Sequence, residues 1–249
     1  MPAQTINEVI TQLESIIAEC KNNNSSAGYF TALYHKVTCR VRDGILKGEF
    51  EDNARMEKLD VLFANRYLQA YEQWKNKQTP SASWAVAFDG IKRRRTIVLQ
   101  HLLLGINAHI NYDLGIAAVD TMKGAKFDDI QKDFNAINTL LAAMVYEVIH
   151  DLNRVSPLLS LLGLHATNNN QMLVEFTLGN ARDGAWCFAE EISKQSGAAY
   201  EATITARDKR ISELGTSILY PHGAAKITLW FIHLFEWHNA RKVIEVLED

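Results

Sequence analysis

The stretch "HLLLGINAHINYDLGIAAV", residues 101–119, decides how this chain is read. Its apolar residues recur every three or four positions, the period of a helix that buries one side. Yet it also carries His101, Asn107, His109, Asn111 and Asp113. At about 100° per residue, with His101 at zero, Gly105, His109 and Asp113 fall at roughly 40°, 80° and 120°. Leu102, Ile106 and Ile116 share that arc. His109 and Asp113 stand i,i+4, where side chains on a helix meet. A neutral imidazole and a carboxylate at that spacing can grip one divalent cation, zinc or manganese. The same pair can instead be an internal hydrogen bond in a helical core, the commoner fate of a histidine on an apolar face. Gly105 leaves room between the two histidines for a ligand or for a neighbouring helix.

Working outward, nearly every segment repeats the period near 3.6. Thr5 is placed to cap a first helix ending near residue 22. The polar run "KNNNSSAG" breaks it. A second helix runs from about Tyr29 to Leu46 and stops at Lys47-Gly48. A third covers about 51–76, with Met56, Leu59, Leu62, Phe63, Tyr67 and Ala70 inward. Pro80 opens a short helix bearing Trp84 and Phe88. The quoted helix spans about 93–119. After the loop "TMKGAKFDD", Asp128 or Asp129 starts a long helix toward Val155, stopped by Ser156-Pro157. "LHATNNNQ" reads as a loop. Helices at about 171–196, 199–216 and 224–247 complete the chain. The expectation is an all-α, single-domain, irregular multi-helix bundle of eight or nine helices over residues 1–249.

Composition narrows the function. The 249 residues carry a formal net charge of −3, with 47% hydrophobic and 22% charged residues, ordinary for a globular protein. No basic face dominates, so no nucleic-acid partner is expected. The dense cluster Lys92-Arg93-Arg94-Arg95 reads as a solvated helix start. Three scattered cysteines, Cys20, Cys39 and Cys187, make neither a disulfide framework nor a CxxC knuckle. The N-terminus lacks the basic and apolar regions of a signal peptide. No run approaches 18 uninterrupted apolar residues, so no membrane span is expected. These features point to a cytoplasmic protein. The sequence fixes no oligomeric state. GxSxG, P-loop, dinucleotide and HExxH motifs are absent, which leaves serine hydrolase, kinase and dehydrogenase readings without a start.

One helix cannot complete a metal shell. "DFNAINTLLAAMVYEVIHDLN", 133–153, is the best partner: Asp133, Glu147 and Asp151 fall within about 40° on a wheel. Three acids beside an apolar stripe repel each other unless water or a cation neutralises them. The metal reading therefore assigns His101, His109, Asp113, Glu147 and Asp151 as ligands. Arg182, four residues before Trp186, is placed to pair with a substrate anion, or else with an acid on a neighbouring helix.

The stretches "FANRYLQAY", "SWAVAF", "LQHLLLGINAHINYDLGIAA", "DFNAIN", "LSLLG" and "ARDGAWCFA" occur in this order. Together, over about residues 27–240, the chain resembles the bacterial domain of unknown function 5995. That resemblance implies a helical fold. It directs attention to Asn107, His109, Asp113, Asp133, Asn138, Arg182 and Trp186, with Asn107, Asp133, Asn138, Arg182 and Trp186 on the substrate side. More loosely, the His-x-x-x-Asp helix is similar to the zinc-dependent phospholipase C and P1 nuclease group. Their helices carry His and Asp ligands for up to three zinc ions. This chain has fewer histidines and starts Met-Pro-Ala, so the likeness implies one or two metals at most. Two functions follow: a metal-dependent, phosphoesterase-like hydrolase, or a non-catalytic helical module binding a small apolar ligand or a partner protein.

Overall fold

The computed structural model describes residues 1–162 and 171–249, and their side chains apart from Asn138, Ala142, Ser160 and 162–180. The expected loop "LHATNNNQ" lies almost wholly outside the described residues. Among those described there is no strand, and the architecture is all-α. Among the described residues there are ten long helices: α1 Ile6–Asn22, α2 Gly28–Lys47, α3 Asn53–Lys75, α4 Ala82–Lys92, α5 Val98–Thr121, α6 Gln131–Val155, α7 Gln171–Ser193, α8 Gly197–Leu219, α9 Gly223–Phe235 and α10 Ala240–Glu248, with short 3-10 turns at Phe127–Ile130 and Leu159–Leu162.

Local chemistry sets several boundaries. The Thr5 side chain accepts from the Glu8 amide, and Asp52 accepts from the Arg55 amide, each supplying a partner to an orphan first-turn N–H. Gly48 closes α2 with φ 71°, a left-handed turn that costs glycine little.

The count departs from the expected eight or nine. The helix expected over 224–247 is two helices, α9 and α10, parted at Glu236. The cause is tertiary. Glu236 leaves helical geometry with ψ 152°, and its buried carboxylate accepts from the Val98 amide at 3.0 Å, at the start of α5. A carboxylate at a helix N-terminus is favoured by the exposed N–H groups and the helix dipole. Ser156 donates to the same carboxylate, and the Trp237 amide donates to the Val155 carbonyl at 2.9 Å. No periodicity in 224–247 reveals these long-range partners.

Helix α5 is the axis of the molecule. Its first half packs on α2, α4 and α8, and its second half on α3 and α7. By length and composition its 24 residues could cross a membrane, but most of them are buried inside the bundle. Leu102, Leu104, Ala108, Ile116, Ala117 and Ala118 of α5 are all nearly inaccessible. Two glycines let the neighbours approach. A Cβ at Gly105 would lie 2.3 Å from Phe30 Cδ2 of α2, and one at Gly115 would lie 2.6 Å from Phe188 Cδ1 of α7. The space that Gly105 leaves thus belongs to a neighbouring helix.

Candidate functional site

Midway, α5 widens into a π turn at His109–Asp113, where the Leu114 amide reaches back five residues to the His109 carbonyl. Such turns are rare and frequent at functional sites. Helix α8 braces it: Arg207 Nε donates to the Asn111 carbonyl at 2.8 Å.

The turn aims Asp113 into the core, where its side chain is almost inaccessible. Arg66 Nε of α3 donates to Oδ1 at 2.8 Å, and Trp84 Nε1 of α4 donates to Oδ2 at 2.8 Å. His109 Nδ1 lies 3.2 Å from Oδ2. A carboxylate can only accept, so Nδ1 carries the proton and Nε2 keeps a lone pair. Burial pushes the His109 pKa down and the Arg66 charge adds to this, while Asp113 opposes it. Three elements, α3, α4 and α5, are therefore joined through one carboxylate.

Aromatic rings enclose the imidazole. Phe63 stacks on it with centroids 3.6 Å apart and planes within 5°. Tyr34 meets it edge-on at 4.5 Å, and Phe30 and Trp84 stand at 5.8 and 5.9 Å. Nε2 has no hydrogen-bond partner among the described residues.

The other expected ligands sit elsewhere. His101 shares the angular sector of His109, but eight residues of rise separate them by about 12 Å along the axis. Its buried ring packs edge-on against Tyr29 at 5.4 Å, and burial lowers its pKa to about 4. Glu147 and Asp151 of α6 both face Lys36 of α2, at 2.7 and 3.2 Å. Asp133, wholly buried, accepts from the Glu51 amide at 2.7 Å and from Arg55 Nε at 2.9 Å. It pins the start of α6 to the start of α3. Among the described residues, no three His, Cys, Asp or Glu side chains gather where one metal ion could be held.

The expected substrate-side residues are likewise dispersed. Asn107 donates to the Ile211 carbonyl of α8 at 2.9 Å and accepts from Asn111 at 3.0 Å. Trp186 packs between Phe127 and Phe134, with centroids 5.0 and 5.1 Å away. Arg182 is buried on α7, and burial brings its guanidinium down to about 10. The Asn138 side chain lies outside the described residues.

Sequence reasoning singled out Asp113 and noted Arg66, Trp84 and Phe63 on their own helices, but joined none of them to the His109–Asp113 pair, and it missed Tyr34. A signal existed: Arg66 interrupts the inner side of α3 between Phe63 and Tyr67, and an interior arginine needs an acid.

Beside this network lies a groove of about 640 Å³, lined by Cys20, Tyr71, Trp74, Lys75, Lys77, Ala85 and Lys92 among others. A row of rings links it to the core. Trp74 stacks on Phe88 at 5.1 Å, and Phe88 on Trp84 at 5.4 Å. Trp84 ends at Asp113.

A family model described as "Family of unknown function (DUF5995)" matches residues 6–221. The match starts earlier and ends sooner than the 27–240 expected from the motifs. No curated protein and no solved structure matches, so the looser likeness to zinc phospholipases and P1 nucleases gains no support.

Proposed function

The chain belongs to DUF5995, a family of unknown function, and from that premise we propose that it is a non-catalytic helical module that takes a small apolar ligand in the α1–α3–α4 groove. One observation carries the reading: each carboxylate expected to ligate a metal is already engaged by a cation of the chain. Asp113 faces Arg66, and Glu147 and Asp151 face Lys36; Asp133, expected on the substrate side, faces Arg55 in the same way. Displacing those partners would leave the buried Asp113 and Asp151 carboxylates uncompensated, at a cost of about 3–5 kcal/mol each, whereas the exposed Glu147 would lose little. The His109–Asp113 pair then serves as an internal tie that holds α3, α4 and α5 in register.

The groove suits the ligand. Tyr71 and Trp74 offer ring faces, and three lysines against Glu19 and Asp89 favour a neutral or singly anionic molecule. Lys75 and Lys92 are tied to those two acids at 2.6 and 2.7 Å, so the apolar wall supplies most of the affinity. Titration with 2-naphthoate by calorimetry tests it. Saturable binding that weakens about tenfold in Trp74→Ala, the loss of one ring contact plus its buried area, supports the reading. Absence of saturable binding, or equal binding by the variant, overturns it. The hydrolase reading predicts instead a stoichiometric transition metal in untagged protein, measured by elemental analysis.

A further inference from the structure

Helix α9 turns an apolar stripe to solvent. Ile227, Trp230, Phe231, Leu234 and Phe235 follow the i, i+3, i+4, i+7, i+8 pattern. These five, with Trp237 just beyond, are between 42% and 60% exposed. The inner side is held by Ile232, which is fully buried, and by Leu229, packed on the main core. So the stripe is not a helix left loose; its other side is already docked. A contiguous exposed apolar patch of this kind marks an interaction surface. It begins just past the matched family region, which ends at residue 221.

Cations stand beside it. Arg93 lies over the Tyr220 ring at 4.3 Å, immediately before α9. Arg95 is close enough to His233 for its charge to help lower the imidazole's pKa. The exposed cluster Lys92-Arg93-Arg94-Arg95 therefore flanks the stripe, and Lys226 stands exposed on α9 itself. The only acid between residues 220 and 242 is Glu236, which is buried against α5.

We infer that the outer face of α9 docks on an anionic lipid surface, with Trp230, Phe231 and Leu234 entering the interface and the Arg93–Arg95 cations resting on the headgroups. Tryptophan and phenylalanine on an otherwise apolar helix, edged by cations, are the composition of an interfacial element. At thirteen residues α9 is too short to span a bilayer, so it lies in the surface plane. A second copy is a poorer occupant, because a two-fold contact through α9 would set two arginine clusters close together.

Flotation with vesicles of phosphatidylcholine alone or with phosphatidylglycerol added tests this. The wild-type chain should float with the anionic vesicles, and binding should fall with salt. Arg94→Gln with Arg95→Gln should weaken partitioning about thirtyfold, given the contribution of each cation near a charged leaflet. Phe231→Glu with Leu234→Glu should abolish it while circular dichroism and the melting curve stay unchanged, since both side chains are exposed. No flotation with either vesicle overturns the inference, as does unaltered flotation of the Phe231/Leu234 variant. Vesicle-independent dimerisation in light scattering, lost in that variant, would give the face to a second copy instead. None of these four residues lines the groove, so naphthoate binding should be unaffected and the two tests fail independently.

Discussion

Asp113→Asn changes one atom and removes the charge on which three helices converge. Arg66 Nε, Trp84 Nε1 and His109 Nδ1 all address this carboxylate, within 2.8 to 3.2 Å. The amide retains one acceptor oxygen, so at least one donor loses its partner, and the NH₂ group meets an N–H. Breaking a buried ion pair costs about 3–5 kcal/mol, and an unsatisfied buried donor costs about 1–3. Arg66 keeps some solvent contact, which screens its share, so about 3–4 kcal/mol is expected. For a chain of this size that lowers the melting temperature by roughly 10 °C. Urea denaturation followed by circular dichroism measures it. A double-mutant cycle with Arg66→Met should give a coupling of about 2 kcal/mol, because removing both charges leaves neither stranded. A loss under about 1 kcal/mol, or additive single effects, would contradict a network centred on Asp113. So would wild-type stability that drops equally on adding a chelator, because the carboxylate would then be serving a metal.

Further consequences concern packing and pH. Gly105→Ala puts a methyl 2.3 Å from Phe30 and should destabilise by about 3 kcal/mol in the same urea assay; Gly124→Ala, with no neighbour within 4 Å but φ of 88°, should cost less. Burial raises the Asp60 pKa to about 7. The folded chain then keeps a proton that the unfolded chain releases from about pH 4, so this group's contribution to stability falls as pH rises from 4 to 7. Asp60→Asn lacks that loss and should gain on wild type by about 1.4 kcal/mol per pH unit across the window. His101, lowered to about 4, has the opposite sign. Its contribution is whole above about pH 6.5 and is lost as pH falls toward 4, so His101→Phe should flatten the acid limb of a stability–pH curve.

The fold was largely legible because periodicity reports burial directly. The Thr5 cap, the Gly48 stop and the ends of α2 and α3 all follow from local chemistry within a few residues of each boundary. The division between α9 and α10 was not legible, since Glu236 answers to Val98 and Ser156, more than 75 residues away in sequence. The candidate site was half legible. The His109–Asp113 contact follows from i,i+4 spacing and survives the π turn. Convergence with His101 does not, because a wheel preserves angle and discards rise. The acids of α6 looked like an unneutralised cluster only while Lys36 and Arg55 were unplaced. Their pairing across α2 and α3 is a tertiary fact that no spacing along α6 encodes.

His109 is a neutral, protein-paired imidazole with its proton on Nδ1. Long-range proton–nitrogen correlation NMR on ¹⁵N-histidine-labelled protein reads this state directly. His109 should show the Nδ1–H tautomer unchanged between about pH 6.5 and 8, since burial lowers its pKa from the ordinary value, with no shift on adding zinc or manganese. An Nε2–H tautomer, or a nitrogen resonance that moves stoichiometrically with added metal, would contradict it.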